Sequence, residues 1–269
     1  MNQTVKISVC QFKIESNKFK NIDNAKKNLI DSCKHSNIVV LPECFICPYD
    51  TKVFKDYAEK IFNPKDKTCL AYNMLLDVSK TFKNVYIFGG TIIEEDERGN
   101  LYNTCLVFYD GELIGKYRKI NLYKIYLEKH SFCEADVLSQ GDLPEIITTI
   151  YGKIGIGICY DLRFSELTKY YQQNDCVMVI YPGSFNRITG PKHWQILQQV
   201  RALDNQLFIV SCSSACNFGS SYESYGKSFI ISPWGSILKE TILDREENIS
   251  YLINLDEIRL VKKSLPILM

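Results

Sequence analysis

Residues 155–164 read Gly155-Ile-Gly-Ile-Cys159-Tyr-Asp-Leu-Arg163-Phe164. The apolar run predicts a strand over 153–158, and the following spacing predicts a helix over 165–173. A cysteine on such a strand-to-helix turn would lie exposed at a sheet edge, near helix N–H groups that favour an anion. This setting is typical of a nucleophilic residue, as at the elbow of serine hydrolases. A buried structural cysteine would give the same local sequence, so both interpretations stay open at this point.

Strands and helices alternate on both sides of this stretch, which predicts an α/β fold with a mixed sheet or with two sheets covered by helices. The predicted helices are 21–35, 68–82, 165–173, 191–205 and a short helix capped by Asp256. The predicted strands and hairpin strands are 5–12, 38–41, 85–88, 91–94, 101–109, 112–118, 153–158, 176–180, 207–213, 227–232, 236–240 and 250–255. Residues 120–144 show no clean period and are interpreted as a long loop. Because no linker or repeat interrupts the pattern, residues 1–269 are predicted to form a single domain.

The composition is that of a folded soluble protein, with 46% hydrophobic and 23% charged residues among 269. Lys plus Arg is 32 and Asp plus Glu is 31, so no charge excess favours nucleic acid or an anionic membrane as a partner. No apolar run approaches the ~20 residues of a membrane helix, and the start of the chain carries no secretory pattern. The 11 cysteines of such a chain are expected to be reduced thiols, which predicts a cytoplasmic protein.

A nucleophilic cysteine needs a base, and none of the 3 histidines lies in a context typical of one. Glu43 follows a short buried strand in Leu41-Pro-Glu43-Cys-Phe45, where apolar neighbours would raise its pKa toward a useful range. Lys119 ends the hairpin strand Lys116-Tyr-Arg-Lys119, where an exposed basic stripe is the simpler interpretation. Each of the three candidates is weak when taken alone.

Taken together, these motifs resemble the nitrilase superfamily of carbon–nitrogen hydrolases, and the match runs almost from end to end. Four more segments extend it: Tyr181-Pro-Gly-Ser-Phe-Asn186, Thr189-Gly-Pro-Lys-His-Trp194, Arg201-Ala-Leu-Asp-Asn205 and Ser232-Pro-Trp-Gly235. The resemblance implies a four-layer α-β-β-α sandwich of the nitrilase type, built from pseudo-symmetric halves and commonly dimerised through helices. It also implies that Glu43, Lys119 and Cys159 form the catalytic set.

The variants around Glu43 and in Pro182-Gly-Ser-Phe-Asn186 resemble the omega-amidase branch, and the sister branch acting on deaminated glutathione is the alternative. The resemblance implies a cofactor-free amidase that converts short dicarboxylate monoamides, such as 2-oxoglutaramate or 2-oxosuccinamate, to acid and ammonia through a cysteine thioester. Glu134, in Phe132-Cys-Glu134, resembles the second active-site glutamate and would orient Lys119. A solvated loop residue is the alternative for Glu134, and Glu128 matches less well.

Five further residues are predicted to bind substrate. Arg163 is expected to grip the far carboxylate of the substrate, with an ion pair to Glu166 as the alternative. The backbone N–H of Tyr160, with Lys119, is expected to hold the oxyanion of the tetrahedral intermediate. The remaining predicted contacts of the substrate pocket are Phe185, Thr189 and Tyr49.

Three rival interpretations compete with the amidase. A zinc module would need Cys44-x-x-Cys47 and Cys212-x-x-x-Cys216 to meet, and nothing in the predicted fold brings them together. A nucleotide site is excluded because Gly155-x-Gly157 lacks a third glycine and Gly226-Lys-Ser228 lacks the first glycine of a P-loop. An inactive scaffold of the same fold is distinguished only by assay. The predicted partners are thus a small amide, water and a second copy of the chain, with no nucleic acid, membrane or metal.

Overall fold

The computed structural model describes residues 4–61, 68–128, 130–220 and 222–267. The strands are β1 (Thr4–Gln11), β2 (Ile38–Val40), β3 (Tyr86–Glu95), β4 (Leu101–Tyr109), β5 (Glu112–Arg118), β6 (Lys124–Leu127), β7 (His130–Cys133), β8 (Ile146–Thr149), β9 (Gly152–Ile156), β10 (Cys176–Gly183), β11 (Phe208–Ser213), β12 (Phe229–Ile231), β13 (Ile237–Glu240) and β14 (Glu247–Asn254). The helices are α1 (Lys18–Cys33), α2 (Phe54–Tyr57), α3 (Leu70–Thr81), α4 (Ser165–Gln173), α5 (Gly190–Asn205) and α6 (Asp256–Ser264).

Two six-stranded mixed sheets carry the fold, in the orders β14-β1-β2-β3-β4-β5 and β13-β12-β11-β10-β9-β8. Each sheet has three parallel strands at its centre, β1-β2-β3 in the first and β9-β10-β11 in the second, with antiparallel strands outside them. The two halves of the chain therefore repeat one topology. The separate hairpin β6–β7 lies outside both sheets.

The two sheets and their covering helices form four layers. Side chains of both sheets, including Val9 of β1 and Val210 of β11, belong to one continuous buried cluster. Helices α1 and α3 pack Leu29 and Leu75 into a second buried cluster on the first sheet. Helices α4 and α5 cover the second sheet, and the Tyr171 ring of α4 lies 2.4 Å from where a side chain at Gly155 would begin. The predicted four-layer α-β-β-α sandwich is confirmed.

One strand is longer than predicted. The sequence predicts two strands, 85–88 and 91–94, separated at Gly89-Gly90, but β3 runs through both to Glu95 with a register shift between Phe88 and Thr91. A Cβ at Gly90, whose φ is +60°, would lie 2.2 Å from the Pro42 carbonyl oxygen. The glycines therefore let the bulge approach the segment that carries Glu43, and the hydroxyl of Thr91 accepts a 2.8 Å hydrogen bond from the N–H of Cys44.

The long loop predicted over 120–144 is wrong in part. It contains the β6–β7 hairpin and a 3-10 turn over Glu134–Asp136, while residue 129 lies outside the described residues. The hairpin shows little hydrophobic alternation because its described side chains are mostly exposed or half-buried. The short elements α2 and β8 were also not predicted. Asp256 is the first residue of α6 rather than its cap, and its N–H donates to Asn254 Oδ1 at 3.0 Å.

All 11 cysteines lie in the described ranges and are outside any disulfide bond, and ten of these residues are buried. The described residues contain no group of three or more His, Cys, Asp or Glu side chains that could hold a metal ion. Within the described ranges, no helix is both long and apolar enough to span a membrane.

Candidate active site

Cys159 lies three residues beyond the end of β9, at the start of a 3-10 turn over Cys159–Arg163. Its φ of 47° is unusual for a residue with a side chain and is typical of a nucleophile held on a tight elbow. The carboxylate of Asp161 fixes the elbow by accepting the N–H of Ile158 at 2.9 Å. The predicted exposure of Cys159 is wrong: the residue is only 5% exposed, and it lines a small pocket. The predicted helix does not follow Cys159 directly, because this turn lies between Cys159 and α4.

Glu43, Lys119 and Glu134 meet in one buried cluster. Lys119 Nζ lies 2.8 Å from Glu43 Oε1 and 3.0 Å from Glu134 Oε2, and all three side chains are inaccessible to solvent. Glu43 comes from the turn after β2, Lys119 from the residue after β5, and Glu134 from the 3-10 turn after β7. Lys119 is therefore not part of an exposed basic stripe, and Glu134 is not a solvated loop residue, whereas Glu128 is exposed.

Hydrogen bonds hold Glu134 in place from two directions. Tyr49 donates its hydroxyl to Glu134 Oε1 at 2.6 Å, and the N–H of Tyr123 donates to Oε2 at 2.5 Å. Lys119 Nζ also donates to the Tyr49 hydroxyl at 3.2 Å. The lysine thus has three oxygen partners, which is the full donor capacity of an ammonium group.

The charges of this cluster act strongly on each other. Burial raises the pKa of Glu43, and the Lys119 ammonium opposes that rise. Burial alone would lower the pKa of Lys119, but Glu134 and Glu43 raise it well above its usual range, so the lysine stays charged. Burial and the Glu43 carboxylate raise the pKa of the Cys159 thiol, against the effects of Lys119 and the Ser184 N–H. The arrangement favours a neutral thiol beside a carboxylate that can accept its proton.

Arg163 lines the same pocket as Cys159, together with Tyr160, Phe185 and Thr189. Its guanidinium carbon lies 4.9 Å from the centre of the Phe185 ring and 5.5 Å from that of Tyr160. Arg163 Nη1 donates to His193 Nδ1 at 3.1 Å, and its buried Nε has no hydrogen-bond partner in the described part of the chain. The alternative ion pair with Glu166 is not formed among these residues. Arg163 therefore keeps donor capacity directed at the pocket region.

Tyr49 lies apart from the other predicted substrate contacts. It lines a second cavity of about 390 Å³, which is also lined by Glu43, Ser184 and Tyr222. Ser184 and Tyr222 also line the Arg163 pocket, so the two cavities share a wall. Cys159 borders the Arg163 pocket, and Glu43 borders the larger cavity.

Sequence reasoning missed three residues that contact the predicted site residues. Asn103 Nδ2 donates to Glu43 Oε1 at 2.9 Å, the Ser184 N–H reaches the Cys159 sulfur, and His193 accepts from Arg163. Because arginine is only a donor, His193 Nδ1 must be the acceptor and the neutral ring carries its proton on Nε2. Burial, Arg163 and Lys192 lower the pKa of His193, which agrees with a neutral ring. The sequence signal for Asn103 is an amide near the start of β4, a strand whose only other polar side chain, apart from its tyrosines, is Thr104.

Comparison with known proteins settles the family. The sequence profile of the family named Carbon-nitrogen hydrolase matches residues 6–263. The chain belongs to the carbon-nitrogen hydrolase family. As a carbon-nitrogen hydrolase it acts on carbon–nitrogen bonds, and the membership predicted from its motifs is confirmed.

Several named proteins are similar over nearly the whole chain. The omega-amidase NIT2 of Xenopus tropicalis is 42% identical over 260 residues, covering 94% of this carbon-nitrogen hydrolase and 91% of the relative. The human omega-amidase NIT2 is 41% identical over 266 residues, covering 97% and 93%. The crystal structure of Saccharomyces cerevisiae Nit3, a member of branch 10 of the nitrilase superfamily, is 36% identical and superposes with a TM-score of 0.89 over 99% of this chain and 96% of that one.

Proposed function

We propose that this protein is an omega-amidase, which hydrolyses the terminal amide of short dicarboxylate monoamides of the 2-oxoglutaramate and 2-oxosuccinamate type to acid and ammonia. The observation that carries the proposal is a buried carboxylate–ammonium pair beside a cysteine whose pocket also holds a guanidinium group. The carboxylate, the ammonium and the cysteine together suit acyl transfer. The guanidinium suits a carboxylate at the other end of a short substrate. The similarity to proteins named omega-amidase supports the same substrate class.

In the first half of the proposed reaction, Cys159 attacks the amide carbonyl carbon while Glu43 takes the thiol proton. The electron pair of the carbonyl moves onto its oxygen, which the nearby positive charge of Lys119 and a hydrogen bond from the Tyr160 N–H stabilise. The intermediate collapses when Glu43 gives the proton to the departing nitrogen, so that ammonia leaves and a thioester remains. Glu134 keeps Lys119 charged and aligned throughout.

In the second half, Glu43 takes a proton from water and the hydroxide attacks the thioester. Collapse breaks the carbon–sulfur bond, and the proton on Glu43 returns to the cysteine sulfur. The net reaction consumes one amide and one water and gives one acid and one ammonia. No cofactor enters any step.

Arg163, Phe185, Thr189 and Tyr49 take different parts in substrate binding. Arg163 binds the far carboxylate, the Phe185 ring packs beside the guanidinium, and Thr189 shapes the pocket at the start of α5. Tyr49 acts from the Glu43 side, where the nitrogen departs.

Ammonia release across a substrate panel tests the proposal. We expect the highest kcat/KM with 2-oxoglutaramate and succinamate, and much lower values with deaminated glutathione and with a simple nitrile. A preference for deaminated glutathione would instead support the sister branch, and a protein inactive on every amide would support the inactive scaffold.

Replacing Arg163 by lysine tests the carboxylate contact. Lysine keeps the charge but loses the planar pair of donors, so KM for keto-acid amides is expected to rise about 10- to 100-fold. KM for a neutral amide of the same length should change much less. Equal effects on both amides, measured by ammonia release, would contradict the carboxylate role.

The proposal also covers the organisation of the protein. Residues 1–269 act as one catalytic domain, and two copies form a homodimer through helices. Ile196 and Leu203 of α5 and the neighbouring Trp234 are 57%, 43% and 51% exposed, which supports an interface on this side. Sedimentation velocity would reveal a monomer if the dimer is wrong. The free thiols support a reducing compartment such as the cytoplasm, which cell fractionation would test.

A further inference from the structure

Asn103 connects the two oppositely charged residues at the centre of the site. It lies on β4 and is fully buried. Its side-chain Nδ2 donates to Glu43 Oε1 at 2.9 Å, and its main-chain carbonyl accepts the N–H of Lys119 at 2.9 Å. One residue of a rigid strand thus fixes the carboxylate through its side chain and the lysine through its backbone.

We propose that Asn103 is a positioning residue that commits Glu43 to carrying the proton on Oε2. The proposal rests on the proposed role of Glu43 as the base. It names the oxygen that takes the proton from Cys159 and from water, and it names the donor that leaves this oxygen available.

The two oxygens of Glu43 differ in their hydrogen bonds. Oε1 accepts from Lys119 Nζ at 2.8 Å and from Asn103 Nδ2 at 2.9 Å. A carboxylate oxygen has about two acceptor positions, so Oε1 is filled. Oε2 is buried and has no partner at hydrogen-bond geometry within the described ranges, while Cys159 is close enough to lower the pKa of this carboxyl as a weak donor. Oε2 is therefore the oxygen with capacity for a proton.

The environment of Asn103 argues against a purely structural role. Its Oδ1 is buried and unpartnered in the described part of the chain, which costs stability relative to an apolar side chain of the same shape. Packing alone would not require an amide at this position. The hydrogen bond that the amide does make is the one to the Glu43 carboxylate.

The pH dependence of the reaction reports on this contact. A hydrogen bond to the charged form of a carboxyl lowers its pKa, so loss of the Asn103 donor should raise the pKa of Glu43 further. Glu43 must be ionised to accept a proton, and the acid limb of the activity profile should therefore move to higher pH. The other titratable groups that interact with Glu43 are Lys119, Glu134, Cys159, Cys44, Tyr49 and Tyr222.

The experiment compares Asn103→Leu and Asn103→Asp with the wild-type protein. We expect the acid limb of kcat/KM to move up by about one pH unit in Asn103→Leu and at least as far in Asn103→Asp, where a second carboxyl faces Glu43. At any pH below both acid limbs this shift corresponds to a loss of about tenfold in kcat/KM, with KM little changed. The rate of Cys159 alkylation by iodoacetamide, followed by mass spectrometry of its peptide, should show the same shift without any substrate.

Thr104→Val is the matched control. The Thr104 hydroxyl donates to Glu94 Oε2 at 2.7 Å, so this variant also removes a buried hydrogen bond between β4 and a glutamate, but one outside the active site. It should lose stability and keep the wild-type acid limb. The proposal would be overturned if the acid limb of kcat/KM lay at the wild-type pH in both Asn103 variants. A third outcome separates the two proposals. If the wild type hydrolyses no amide but the acid limb of Cys159 alkylation still lies at higher pH in the Asn103 variants, the proposed function fails and the role of Asn103 stands.

Discussion

Cys159→Ala is expected to abolish ammonia release, with a loss of roughly 10⁵-fold or more in kcat. The reason is chemical: without the sulfur no thioester can form, and the Glu43–Lys119 pair has no nucleophile to activate. Folding should be little affected, because alanine fits the space and the 47° φ is strained for both residues. Ammonia release with 2-oxoglutaramate, together with the unfolding temperature, checks both expectations.

Cys176→Ser serves as the control for this substitution. Cys176 is also buried, at 6% exposure, but it begins β10 at the end of the strand away from the active site. Its replacement should keep most of the activity. Near-normal activity in Cys159→Ala would show that another group carries the chemistry.

Lys119→Met is expected to lose about 10³-fold or more in kcat and about 3–5 kcal/mol in the free energy of unfolding. Methionine keeps the length of the side chain but leaves the carboxylates of Glu43 and Glu134 buried without a counter-ion. Activity falls because the oxyanion loses the positive charge that stabilises it. Adding Glu134→Gln to the variant should recover part of the stability and none of the activity.

The stability of Lys119→Met should also depend on pH in a defined direction. Without the ammonium, which opposes the effect of burial, the pKa of Glu43 in the folded state lies further above that of the unfolded state. The folded protein then binds more protons, so its stability falls as pH rises. The unfolding temperature of Lys119→Met should therefore be higher at pH 5 than at pH 8, relative to the wild type. If the difference in unfolding temperature between Lys119→Met and the wild type stayed constant from pH 5 to pH 8, it would contradict the claim that the variant buries charged carboxylates without a counter-ion.

The fold was largely predictable where the side chains alternate or recur at helical spacing. The helices α1, α3, α4 and α5 and the central strands follow from such patterns, with boundaries displaced by a few residues. The β6–β7 hairpin gave no such pattern because it packs little of itself against the core. Gly89-Gly90 in β3 was interpreted as a strand end, although it forms a bulge, because glycine is common at both kinds of position.

The candidate site was predictable only through its motifs. Glu43, Lys119 and Cys159 are separated by long stretches of chain, and no local period shows that three loops meet in one cluster. Asn103 and His193 were missed for a related reason: each acts on a residue far away in sequence, through a single hydrogen bond. Burial of Cys159 was missed because its cover comes from residues such as Tyr222 on distant segments.

The most direct test of the account is to trap the covalent intermediate. Wild-type protein mixed with excess 2-oxoglutaramate and quenched in acid during turnover should carry the 2-oxoglutaryl group as a thioester on the peptide that contains Cys159. The adduct should disappear on treatment with hydroxylamine and should not form in Cys159→Ala. An acyl group on another residue, or rapid ammonia release without any acylated protein in a rapid-quench series, would contradict the central claim that this sulfur carries the reaction.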